Sequence, residues 1–222
     1  MDRFRWIFCQ LEVLRDCLPS SVRRSLGELP ETLDETYERI LREIKKPNRA
    51  LAQRVLQCLV AATRPLRVEE LAEVLAVDFN DAEGIPRLNA GWRWEDQEGA
   101  LLFACSSLIV IVKGGDVEAG DSRLVQFSHF SVKEFLTSPR LATTSGEVSN
   151  YHIDLEPAHT ILAQACLGVL LQIQDDVEGH TPEDHPLAGY AARHWTTHAQ
   201  FGGVVTFTER DGMSVRSWQT TL

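Results

Sequence analysis

Two runs of alternating side chains, LIVIVK at 108–113 and RLVQFSHF at 123–130, are joined by the turn GGDVEAGDS. This hairpin constrains the fold more than any other stretch, because a plain helical bundle has no need of it. Strand side chains alternate between faces, so Val125, Phe127 and His129 fall on one side and Leu124, Gln126, Ser128 and Phe130 on the other. The second run passes into a helix without a loop. Ser131 and Glu134 have the S-x-x-E spacing of a capping box, which places His129 just ahead of a helix N-terminus. Free backbone N–H groups and the helix dipole attract anions at such a place.

Helices precede the hairpin. Phe4, Ile7, Phe8, Leu11 and Leu14 recur at three- and four-residue steps and predict one apolar helix face between Arg3 and Cys17. A second helix begins at the Thr32/Glu35 capping box, carries Tyr37, Ile40, Leu41 and Ile44 on one face, and stops at Pro47. From Asn48 follow a helix to about Thr63, a break at Pro65, a short helix from Glu69 to Ala76, a polar loop with Asp78, Asp81 and Glu83, and a helix from about Gln97 to Leu108. Three helices and then a hairpin is the order of a winged helix, with the hairpin as the wing.

The expected fold is therefore mainly α with a small β-hairpin: a helical arm at 1–46, a winged-helix domain at 47–138, a linker at 139–154, a helical pair at 155–203 and an irregular tail at 204–222. Helical periodicity starts almost at the first residue, as expected of a segment cut from a larger protein.

Charge limits the partners. A net charge of −10 opposes general nucleic-acid binding, which depends on cations displacing phosphate counterions. The helix that would read a duplex is worse still, since no Lys or Arg lies between Glu95 and Val112. A protein-facing winged helix is expected, with a DNA-binding transcriptional regulator as the alternative. The longest apolar run, LLFACSSLIVIV, falls well short of the roughly 20 residues of a membrane span. Cys9, Cys17, Cys58, Cys105 and Cys166 are widely spaced with no C-x-x-C, the usage of reduced, mostly buried thiols in a cytoplasmic protein.

Candidate chemistry is thin. Gly115 and Gly120 have P-loop spacing, but Asp121 and Ser122 stand where Lys and Ser or Thr belong, and a strand follows instead of a helix. His194 and His198 sit at i and i+4, as metal ligands often do, with no Glu between them; His180 and His185 would join them only by coincidence of fold. These are read as surface and packing histidines around Trp195. No G-x-S-x-G elbow is present. Neither an enzyme nor a cofactor is expected.

The segments FRWIFCQLEVLRDCL, LPETLDETYERIL, RPLRVEELAEVLAVD, VQFSHFSVKEFLTS and PLAGYAARHWTTHA together resemble, in the same order, the region downstream of the NACHT domain in fungal NOD-like proteins of the STAND type. The winged-helix part resembles the domain named after GPI inositol-deacylase-like proteins. The resemblance implies a noncatalytic regulatory arm that closes over a nucleotide-binding NACHT domain, supplied in the same parent protein or in trans, with ankyrin or similar repeats beyond it. Related switches end the winged helix in a Met-His-Asp motif whose histidine reaches the β-phosphate of ADP. The matching position is His129, the one site residue the resemblance implies. Phe130 stands in place of the aspartate, and Ser131 is expected to take over that residue's capping role.

Overall fold

The computed structural model describes residues 29–79, 86–114, 122–175 and 184–201, with residues 6, 7, 9–11, 15, 18 and 20–22. Helix α1 (Leu33–Glu43) starts as expected: Thr32 Oγ1 accepts from Glu35 N–H while the Glu35 carboxylate accepts from Thr32 N–H. Tyr37, Ile40, Leu41 and Ile44 are buried on its inner face. Ahead of it, Trp6 donates to the Pro30 carbonyl and Gln10 to the Thr36 hydroxyl, both at 2.9 Å. Those contacts turn Cys9 and Gln10 inward and leave Ile7 and Leu11 of the apolar stripe exposed. Its other members, Phe4, Phe8 and Leu14, lie outside the described residues.

Helix α2 (Arg49–Ala61), strand β1 (Leu66–Arg67), helix α3 (Val68–Leu75), the ribbon β2 (Val77–Asp78) and β3 (Arg87–Leu88), and helix α4 (Gln97–Cys105) lead to the wing strands β4 (Ile109–Lys113) and β5 (Arg123–Phe127). Helices α2, α3 and α4 with the wing form the anticipated winged helix. The sheet is larger than a hairpin. Its antiparallel order is β1-β5-β4, with Leu66 opposite Val125 and Ile111 opposite Val125 on the other side. β1 and the β2–β3 ribbon are two-residue strands, too short to show a period in sequence.

Helix α5 (Phe130–Leu136) follows the wing, and then helix α6 (Pro139–Thr143) and a 3-10 turn at Glu147–Tyr151. Residues 139–154, read as a linker, are thus structured and docked: Leu141, Val148, Tyr151 and Ile153 are buried. Arg49 pairs with Glu147 at 2.5 Å and Ile153 N–H donates to the Leu136 carbonyl at 2.9 Å. Spaced for neither a strand nor a long helix, those apolar residues carry no periodic signal.

The last pair is α7 (Leu155–Asp175) and α8 (Ala188–Gln200). α7 presents Ala158, Leu162, Ala165, Cys166 and Val169 to one continuous core that runs from Tyr37 to Ala191. Gly168 permits its closest approach, since a Cβ there would stand 2.5 Å from the Pro86 carbonyl oxygen. Two buried carboxylates of α3 fasten the entry to α8. Glu73 accepts from Leu187 N–H and from Arg93, each at 2.5 Å, and Arg93 also donates to the Asp184 carbonyl. Glu70 accepts both Arg64 nitrogens, at 2.8 and 2.7 Å, and Arg67 Nε at 3.0 Å. Burial raises the Glu70 pKa, but the hydrogen bonds and charges of Arg64 and Arg67 outweigh it and hold the carboxyl below its ordinary value.

Beside this clamp, His198 engages both ring nitrogens, Nδ1 with His159 Nδ1 and Nε2 with the Tyr190 hydroxyl, each at 2.8 Å. Burial, with His159 and His194 nearby, pushes its pKa down from 6.5 to about 4. The unfolded chain therefore binds a proton between pH 6.5 and 4 that the folded chain refuses. Stability from this site is complete above pH 6.5 and falls as the pH drops toward 4, by on the order of 3 kcal/mol. Urea unfolding at pH 7 and pH 4.5 should show that loss, with a shallower slope in His198→Gln; equal slopes would remove His198 from the account.

Candidate functional site at the strand-to-helix join

His129 ends the run that leaves β5. Its backbone is extended, with φ −160° and ψ 150°, and its own side chain caps α5: Nδ1 accepts from Ser131 N–H at 3.3 Å. The expected Ser131/Glu134 capping box is not formed, because the helix begins two residues earlier than that motif requires. Ser131 lies inside the first turn and is buried. Its hydroxyl stands 2.7 Å from His129 Nδ1 and 2.8 Å from the Tyr37 hydroxyl of α1. Tyr37 is fully buried, with its ring 5.4 Å from that of Phe135.

Neighbouring bonds fix the join from the other side. Ser128 N–H donates to the Leu108 carbonyl at 3.0 Å and Ser128 Oγ to the Ser107 carbonyl at 2.7 Å, which fastens the join to the 3-10 turn that follows α4. The half-buried His129 ring lies against Phe130, centroids 4.2 Å apart, and Phe130 is itself 53% exposed. Only Nδ1 of His129 is hydrogen-bonded among the described residues, which leaves the Nε2 edge available to an outside group. Tyr37 escaped the sequence reading as a site residue. The signal was there: a tyrosine in an otherwise aliphatic stripe must find a hydrogen-bond partner for its hydroxyl when buried.

A cleft of about 350 Å³ opens beside this join, lined in part by Thr32, Asp34, Ser131, Glu134 and Arg140. Arg140 is already paired with Asp34 at 2.5 Å, so the carboxylates dominate and the cleft disfavours phosphate.

The other candidates disperse. Gly115, Gly120, Asp121 and His180 lie outside the described residues. His194 shares a helix face with His198, but His198 turns inward to Tyr190 and His159, and His185 packs beside Glu73 at 3.7 Å from its carboxylate. Among the described residues, no group of three or more His, Cys, Asp or Glu side chains could hold a metal ion. Cys58, Cys105 and Cys166 are buried, and burial pushes each thiol up to about 12, so none is poised as a nucleophile. Helix α4 shows Leu102 and Phe103, 38% and 66% exposed, with the Lys45 ammonium 5.5 Å from the Phe103 ring centroid, and Glu98 of the same helix pairs with Arg123 of the wing. No described helix is long and apolar enough to cross a membrane.

Comparison with known proteins agrees with this architecture. The chain is 33% identical over 180 residues to the azaphilone pigments biosynthesis cluster protein L of Monascus ruber. That match covers 78% of this chain and 36% of the relative, so the chain spans just over a third of that protein's length. No solved structure matches the chain. A family model described as GPI inositol-deacylase, winged helix domain, matches residues 37–148, from the tyrosine of α1 through the wing, His129 and α6. The chain belongs to the GPI inositol-deacylase winged helix domain family.

Proposed function

We propose that this chain is a noncatalytic regulatory and protein-interaction module of a STAND-type signalling protein, working in the cytoplasm against a NACHT nucleotide-binding domain. The composition of α4 carries the proposal: the helix exposes Leu102 and Phe103 and has no Lys or Arg of its own, where a DNA-reading helix needs cations. Exposed Ile7 and Leu11, one turn apart on the arm, are a second apolar surface suited to a protein partner. The relative is named for a pigment biosynthesis cluster and not for a reaction.

In this reading His129 is the nucleotide-sensing residue. Its Nε2 edge, at the start of α5, meets the β-phosphate of ADP when the module closes on a NACHT domain. The glycines of the wing turn are followed by Asp121 in place of a P-loop lysine, and the nucleotide belongs to the partner. A regulator of transcription through DNA remains the alternative to be tested.

Mobility-shift titration with mixed duplex DNA at physiological salt should show nothing tighter than the nonspecific range of roughly 10⁻⁴ to 10⁻⁶ M. A sequence-specific shift would favour the alternative.

Paired with a NACHT domain, His129→Ala should weaken ADP retention roughly 10- to 150-fold, the worth of a hydrogen bond to a charged group. Nucleotide exchange rates measure this directly. Unchanged exchange beside a lowered melting temperature would reduce His129 to a packing residue.

A further inference from the structure

We infer that Tyr37 and Ser131 are positioning residues for His129: a hydrogen-bond chain from the arm helix holds the neutral imidazole with its proton on Nε2. The direction of the chain follows from one donor that cannot be reversed. Ser131 N–H points at His129 Nδ1 from 3.3 Å, and a backbone N–H only donates, so Nδ1 must present its lone pair. With Nδ1 an acceptor, the contact of 2.7 Å to Ser131 Oγ is a bond donated by the hydroxyl. That hydroxyl has spent its proton, so the Tyr37 hydroxyl, 2.8 Å away, donates to it. The opposite polarity would aim an Nδ1–H at the Ser131 N–H, two donors facing one another at the start of a helix.

The consequence lies on the far side of the ring. The proton resides on Nε2, the nitrogen with no bond among the described residues, and the group turned outward is a neutral N–H donor suited to an anionic oxygen. Each donor in the chain polarises the next. The chain starts on α1 and ends at the join, 92 residues further along the sequence, so displacement of α1 would release the Ser131 hydroxyl to turn and leave the longer Ser131 N–H bond alone to hold the tautomer. For its value in nucleotide sensing this inference rests on the reading of His129 above; the tautomer itself does not.

Nitrogen NMR of the ¹⁵N-histidine-labelled full chain tests it, with the His129 ring pair assigned by its loss in His129→Asn. At pH 8 the wild-type Nδ1 should resonate far downfield as an unprotonated imine nitrogen and Nε2 upfield as a protonated one. Once assigned, the wild-type spectrum decides by itself, and a protonated Nδ1 would overturn the inference. Ser131→Ala and Tyr37→Phe should move both resonances toward the average of mixed tautomers, Ser131→Ala further; ring shifts unchanged in both folded variants would equally overturn it. With a NACHT domain added, Tyr37→Phe should speed ADP release roughly 2- to 10-fold, the worth of one neutral hydrogen bond. Ring shifts that respond while release does not would leave the chain of bonds standing and count against the nucleotide reading.

Discussion

The hydrogen bonds from Tyr37 to Ser131 and from Ser131 to His129 are the interaction on which the candidate site depends. They connect α1, whose tyrosine opens the stretch that the winged-helix family model matches, to the one point where the wing strand becomes a helix. A buried hydroxyl left unpartnered costs about 1–3 kcal/mol, so each of these three residues constrains where the other two can sit. Ser128, fixed to the carbonyls of Ser107 and Leu108, keeps the join from moving away from the turn after α4. His129 is thereby held by α1 on one side and by the winged helix on the other.

A second set of polar bonds does for the C-terminal helices what this one does for the arm. Glu70 and Glu73 are both buried in α3, a position that is tolerable for a carboxylate only when it is paired and hydrogen-bonded. Arg64, Arg67, Arg93 and the Leu187 N–H supply those partners, and two of these arginines go on to donate to carbonyls at Pro186 and Asp184. The winged helix thus carries a polar anchor at each end. The apolar core that joins them is continuous, which is why residues 139–154 dock instead of linking.

Much of this was legible in the sequence where a period lasted long enough to be read. The α1 capping box and its stripe Tyr37, Ile40, Leu41 and Ile44 appear as expected, as do the wing strands and the long final helices. The two-residue strands escaped because their pairing is decided by tertiary contact and leaves no alternation. Ser131 was misread for a related reason. An S-x-x-E spacing is satisfied locally, but His129 supplies the cap from its own ring and the serine hydroxyl is drawn toward Tyr37, 94 residues away. The outward stripe of Ile7 and Leu11 shows the same limit, since periodicity reports that a face is apolar and not what it faces.

A double-mutant cycle on Tyr37→Phe and Ser131→Ala, read by urea unfolding of the full chain at neutral pH, tests most directly whether α1 and the strand-to-helix join are held together through this contact. If they are, the two substitutions are non-additive, with a coupling of about 0.5–1.5 kcal/mol, because either one alone already breaks the bond. Effects that add to within about 0.3 kcal/mol would show that the two hydroxyls act independently and that α1 does not hold His129 in place.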